Sequence, residues 1–245
     1  MNKLLMSFLL YVSALSMMSC DSGSIEEVEP DSEQGRIVKI EGQIEGLKTW
    51  PRSYDISVAG FRSKDDSEAS PYATIAKVIT TDEHGNMSIV LSGMGSDVHL
   101  IEICVLNQLR RRVMKFVSED ISKGSINDTI RLNVGKVDVS MMNAIQVGMF
   151  NGLCATCHNT KRPAANLDLT AGHSYASLVN HTSTKVPTSK RIAAGDVKNS
   201  ILHKVLNTDI SNTWGTNHPN MLNSQRTEKY LLRLIDDWIK CGAPK

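Results

Sequence analysis

Two cysteines and a histidine stand together in the second half of this 245-residue chain, in the run Cys154-Ala155-Thr156-Cys157-His158. Two thiols three residues apart can project toward one side of a helical turn, and an imidazole follows them directly. Thiolates and imidazoles bind metal ions, paired thiols can act as a redox dithiol, and two thiols beside an imidazole can hold a haem. The run therefore predicts a redox, metal or cofactor site.

The rest of the sequence favours haem over the other two chemistries. A zinc site of this type needs a second cysteine pair, but the other cysteines are single and far apart: Cys20, Cys104 and Cys241. A dithiol centre favours a strand before it and a βαβ context, whereas the pattern here predicts a preceding helix. C-x-x-C-H is the attachment pattern of c-type haem. We predict one covalent haem c on Cys154 and Cys157 with His158 as the proximal iron ligand; zinc and dithiol remain alternatives.

The elements around this run have helical spacing. From about residue 138, apolar residues recur at three- and four-residue intervals, with Ser140 and Asp196 as candidate N-caps and Gly242 as a candidate C-cap. The predicted helices cover about 140–153, 173–180, 197–206 and 225–241. Four helices in this length are enough to wrap one planar cofactor.

The preceding part of the chain has the alternation typical of strands. Short β-branched segments are separated by turn-forming residues, and the predicted strands cover 36–45, 54–61, 74–81, 87–92, 98–106, 112–118 and 128–134. Seven short strands in about 100 residues predict an all-β sandwich of immunoglobulin-like or transthyretin-like type over residues 36–136.

The order of features from about 138 to 244 resembles class I cytochrome c: a helix, C-x-x-C-H, small helices, a methionine loop and a C-terminal helix. The residues that carry the resemblance include the run 166–169, the run 192–202, His218-Pro219-Asn220-Met221 and Trp238-Ile239. The resemblance implies an all-α cytochrome c-like haem domain over 138–245, within a bacterial lipoprotein whose N-terminal domain is the β-sandwich.

The same resemblance implies a role for the methionine loop. The family takes its distal iron ligand from this loop, which assigns the role to Met221. Met221 is also the only methionine after Met149. His218 lies in the same loop and is the rival ligand, because imidazole also binds iron.

The first 35 residues predict export and a lipid anchor. A basic start, an apolar run and a small residue before Cys20 resemble a bacterial lipoprotein signal over residues 1–19. Cys20 would then be lipidated, and the acidic segment 20–35 would be a linker. These features predict a lipid-anchored protein of a Gram-negative cell envelope, at the outer membrane, on its periplasmic face or at the cell surface.

The distribution of charge predicts the kind of partner. Residues 36–135 hold 13 bases and 13 acids, whereas residues 136–245 hold 13 bases and 7 acids. A basic haem-bearing half predicts docking on the acidic face of a redox partner. Nucleic acid is not predicted as a partner, since Arg110-Arg111-Arg112 is the only basic cluster.

Three functions follow from these patterns. The first is a membrane-anchored mono-haem cytochrome that transfers single electrons and has no substrate of its own. The second is a haem peroxidase or gas-binding sensor whose sixth ligand is displaceable, with His218 as a candidate acid–base group. The third is a surface binding protein in which the β-domain recognises a partner and the haem is accessory.

Overall fold

The computed structural model describes residues 35–62, 71–123, 129–208, 210–224 and 229–245, which belong to one compact unit. Its first half contains seven strands where the alternation of the sequence predicts them. They are β1 (Arg36–Glu45), β2 (Tyr54–Phe61), β3 (Ile75–Val78), β4 (Asn86–Met94), β5 (Leu100–Asn107), β6 (Arg112–Asp120) and β7 (Thr129–Asp138).

The strands form two sheets that share one apolar core. The first sheet has the order β4-β1-β7, with β1 antiparallel to β4 and parallel to β7. The second has the order β3-β2-β5-β6 and is antiparallel throughout. Alternate residues of β1 and β4, such as Val38 and Ile89, meet Val58 and Ile103 of the second sheet in this core. Burial of these alternate side chains is what fixes the register of each strand.

The described part of the second half contains five helices, and most of them are short. They are α1 (Met141–Ile145), α2 (Ser174–Leu178), α3 (Ile201–Asn207), α4 (His218–Ser224) and α5 (Lys229–Lys240). A π-helical turn, Gln146–Phe150, continues α1. Ser140 caps α1 by accepting a hydrogen bond from the backbone N–H of Asn143 at 3.2 Å, as the sequence predicts. Gly242, with φ of 89°, ends α5 in the left-handed region, also as predicted.

The predicted fold class, an all-β sandwich followed by an all-α cytochrome c-like domain, is wrong. The structure is a mixed α/β arrangement of two sheets and five short helices, and only α5 exceeds seven residues. Between α1 and α3 the chain forms 3-10 turns and isolated β-bridges, such as Val179 with Ile192 and Thr182 with Lys190. The physical reason is composition: glycine, proline, serine, threonine and asparagine recur in this stretch and interrupt helices.

One predicted helix start, with its cap at Asp196, is wrong: the N-cap position of α3 is Ser200. The helix predicted from 197 begins at Ile201, and Asp196 closes the turn before it by accepting from the backbone N–H of Asn199 at 3.2 Å. An aspartate that binds the backbone three residues on stabilises a turn as well as a helix start, so its sequence signal is the same for both.

The two halves are joined through side chains. Trp50, Tyr54, Met114 and Phe116 pack against both the core between the sheets and the core around the helices. The Tyr54 hydroxyl donates to Asp237 of α5 at 2.8 Å. These contacts seat α5 and α1 against the second sheet, and they give the second half a rigid support.

The N-terminal predictions lie outside the described residues. These are the signal over 1–19, the lipidation of Cys20 and the linker 20–35, of which only Gly35 is described. Across the described part of the chain, each helix is too short or too polar to cross a membrane.

Candidate functional site

The motif forms one tight turn. Cys154–Thr156 is a 3-10 turn, in which the backbone N–H of Cys157 donates to Cys154 O at 3.2 Å and that of His158 donates to the same oxygen at 2.9 Å. Both cysteines are free thiols. Two thiols and one imidazole are therefore held within a single turn, as the spacing in the sequence predicts.

The two thiols differ in their surroundings. Cys154 is half-buried and Cys157 is exposed. Burial, followed by the neighbouring Cys157, raises the pKa of the Cys154 thiol to about 12. A reactive dithiol needs an attacking thiol with a lowered pKa, so this environment is opposite to that of a dithiol redox centre.

The imidazole of His158 is held in a defined orientation. Its Nδ1 lies 2.9 Å from Ala164 O, and its own carbonyl accepts from the backbone N–H of Leu169 at 2.9 Å. Because Nδ1 is engaged with a carbonyl, Nε2 is the nitrogen available to bind a metal. Burial lowers the pKa of His158, which favours the neutral form that ligates metals.

Arg191 supports the loop that orients His158. Its guanidinium donates to Ala165 O at 3.0 Å, to Asn166 O at 2.8 Å and to Ser177 O at 2.7 Å, and the residue is only 5% exposed. Ala165 and Asn166 have φ of 54° and 52°, a conformation that side chains other than glycine adopt at a cost. The guanidinium thus holds a strained loop directly beside the carbonyl that His158 contacts.

Replacing Arg191 by methionine should release this loop. The substitution keeps most of the apolar stem but removes the three hydrogen bonds that the buried guanidinium donates to backbone carbonyls. Leaving these carbonyls without a partner costs about 3–5 kcal/mol of folding free energy. We expect a lower midpoint of urea unfolding. Lys190→Met is the matched control, because Lys190 is exposed and its ammonium donates to the hydroxyl of Thr182. Equal midpoints for the two variants would contradict the role of Arg191.

A cavity of about 1230 Å³, including the solvent at its mouth, lies against the motif. Its walls are mostly apolar and come from the motif turn, the loop after it, α2, α3 and α4. The residues include Leu153, Cys154, Cys157, His158, Leu167, Leu169, Leu178, Arg191, Ile201, Leu202, Val205, Leu206, Trp214, His218, Met221 and Leu222.

The two candidates for a distal ligand also line the cavity. His218 begins α4, and Met221 lies one turn further along it; both line the cavity. The ring centres of His218 and His158 are 6.2 Å apart, and the ring planes are inclined by 23°. His218 Nδ1 lies 3.0 Å from the hydroxyl oxygen of the buried Ser211. Burial, and then the charge of His158, lowers the pKa of His218.

The structure thus brings together the residues that the sequence singles out: Cys154, Cys157, His158, His218 and Met221 all line one cavity. Leu167, Leu169 and Arg191, weaker candidates in the sequence, line it too. Sequence reasoning missed the wall formed by α3 and by Trp214. The apolar face of α3 at Ile201, Leu202 and Val205 was visible as a stripe, but nothing in the stripe tells a cavity wall from a packed core.

The donor set suits haem better than a bare metal ion. Among the residues described, no group of three or more His, Cys, Asp or Glu side chains is arranged to hold a metal ion. The cavity instead offers two thiols on one side, an imidazole with an available nitrogen and an extended apolar wall. That combination fits a covalently attached porphyrin with an iron at its centre.

Comparisons with protein-family models, with curated proteins and with solved structures found no match for this chain.

Proposed function

We propose that the chain is a mono-haem c-type cytochrome that transfers single electrons in a bacterial cell envelope. The observation that carries the proposal is the placement of Cys154, Cys157 and His158 on one cavity that His218 and Met221 also line. A haem supplies a one-electron change between ferrous and ferric iron. The chain would supply attachment, axial ligands and a water-poor environment.

Attachment uses the thiols alone. Cys154 and Cys157 would hold the haem through thioether bonds to its two vinyl groups; each thiol hydrogen would pass to the neighbouring vinyl carbon, and nothing would leave. The exposed Cys157 lies at the open side, where a maturation system can reach it.

The remaining residues of the cavity orient and shield. His158 offers Nε2 while Ala164 O holds Nδ1, and the leucines and Ile201 of the walls would exclude water from a bound haem. Arg191 lines the same cavity, and its hydrogen bonds are to carbonyls rather than carboxylates. A guanidinium in this setting would attract an anionic group such as a haem propionate.

The surroundings of the motif support docking through positive charge. Lys161, Arg162, Lys185 and Lys190 are all exposed and lie in the chain segments that surround the cavity. We propose an acidic redox partner for this surface, and membrane attachment through a lipid on Cys20. The proposed partner follows from this distribution of charge, and the proposed lipid follows from the sequence that precedes Cys20.

Electron exchange with charged reagents tests the function and the docking surface together. The purified full-length protein should titrate as a one-electron couple. Its oxidation by an anionic complex such as ferricyanide should slow several-fold as ionic strength rises from about 0.01 to 1 M, because the screening length falls from about 30 to 3 Å. A cationic oxidant serves as the control and should speed up. A salt response of the opposite sign would contradict the docking surface, and a spectrum without a reversible couple would contradict electron transfer.

A further inference from the structure

The distance between the ring centres of the two cavity histidines indicates how an iron ion would be bound. A metal ion bound by two imidazoles on opposite sides has nitrogen bonds of about 2 Å, and each nitrogen lies about 1 Å from its ring centre, so the ring centres are about 6 Å apart. The rings of His158 and His218 are 6.2 Å apart. The protein thus holds two imidazoles at the distance that one shared iron requires.

The hydrogen bonds of the two rings lead to the same conclusion. His158 Nδ1 is 2.9 Å from Ala164 O, and His218 Nδ1 is 3.0 Å from Ser211 Oγ. Metal-binding histidines commonly donate their other ring N–H to a carbonyl, carboxylate or water, which fixes tautomer and ring orientation. Ser211 Oγ also accepts from the backbone N–H of His218 at 3.4 Å, and its second lone pair can accept from Nδ1–H of the ring. With Nδ1–H directed to Ala164 O in His158 and to Ser211 Oγ in His218, Nε2 is the nitrogen of each ring that can bind iron.

Met221 lies at a different position along α4 from His218. It lies three residues after His218 on α4, and its backbone N–H donates to Asn217 O at 3.1 Å within the turn that carries both residues. Residues three apart on a helix share a face, so both side chains line the cavity but occupy successive positions along it. The ring that faces His158 belongs to His218.

We propose that His218, rather than Met221, is the second axial ligand of the haem iron, opposite His158. This inference rests on the proposed function. Met221 then belongs to the apolar wall. A thioether ligand raises the reduction potential of a haem relative to a second imidazole, so a pair of histidines assigns the protein to low-potential electron transfer.

The test uses the full-length chain, expressed in a host envelope that attaches c-type haem, and reads the ferric optical and electron paramagnetic resonance spectra. The wild type should be low-spin and should lack the methionine-to-iron charge-transfer band. His218→Ala should become high-spin and bind carbon monoxide readily when reduced, and added imidazole should restore the low-spin spectrum. Met221→Leu should keep the wild-type spectrum. Asn220→Ala, an exposed position of α4, is the control for disturbance of the helix.

The outcomes separate the inference from the function on which it rests. A methionine-to-iron charge-transfer band in the wild type would overturn the inference and leave the proposed haem protein intact. The same holds if Met221→Leu loses the low-spin spectrum while His218→Ala keeps it. A low-spin spectrum in both variants would overturn it as well. If His218→Ala does not fold, the wild-type spectrum decides alone. A wild-type chain without covalent haem would overturn the proposed function instead.

Discussion

Replacing Cys154 and Cys157 together by serine should abolish covalent haem attachment. Serine hydroxyls do not add to vinyl groups under the conditions in which thiols do, and the chain has no other pair of cysteines at this cavity. The measurement is haem retained by the denatured polypeptide, from peroxidase staining of a denaturing gel and from the pyridine haemochrome of the purified protein. The expected result is complete loss of signal in the double variant.

Cys241→Ser is the matched control for this experiment. Cys241 is also an exposed free thiol, but it follows α5 and does not line the cavity. It should retain haem at the wild-type level. Covalent haem in the double variant, or its loss in the control, would contradict attachment through the motif.

Replacing Trp238 by alanine should destabilise the helical half severely. Trp238 of α5 is fully buried, its indole N–H donates to Pro244 O at 2.7 Å, and its ring meets that of Tyr175 at 6.4 Å between centres. Truncating a buried tryptophan costs about 3–5 kcal/mol, because apolar contacts are lost and a cavity remains. This is a large part of the about 5–15 kcal/mol by which a typical domain is stable.

The measurement is the free energy of unfolding from urea titrations followed by circular dichroism. Val147→Ala is the control, since Val147 lies in the same half but is 50% exposed and should lose less than about 0.5 kcal/mol. We also expect reduced haem content in Trp238→Ala, because α5 and α1 share the core that supports the motif turn. Equal losses in the two variants would contradict the packing described for α5.

The strands were predictable because their signal is local. Alternation in β1 and β4 follows directly from burial of one side of each strand. Turn residues mark where strands begin and end, as Gly85 does directly before β4. The caps at Ser140 and Gly242 are equally local. The all-α prediction for the second half failed because apolar spacing was extended across stretches that tertiary contacts hold as turns and bridges. Arg191 is an example: its contacts with Ala165 and Asn166 stabilise backbone conformations that propensity disfavours.

The candidate site was predictable in part for the same reason. The motif is contained in five consecutive residues, so its chemistry can be inferred from the chain alone. The position of His218 opposite His158 depends on the path of the whole second half, and the partner of its ring, Ser211, carries no distinguishing signal in the sequence. The family resemblance implied Met221, whereas the geometry of the rings favours His218.

The mass of the wild-type peptide that contains residues 154–158 tests the central claim most directly. The protein should be expressed in an envelope that attaches c-type haem, digested under denaturing and reducing conditions, and analysed by mass spectrometry. The account predicts a peptide heavier by one intact haem, with no mass lost on attachment and with neither thiol left for alkylation. An unmodified peptide in which both cysteines accept the alkylating reagent, from a host that loads a control cytochrome in the same cells, would contradict it.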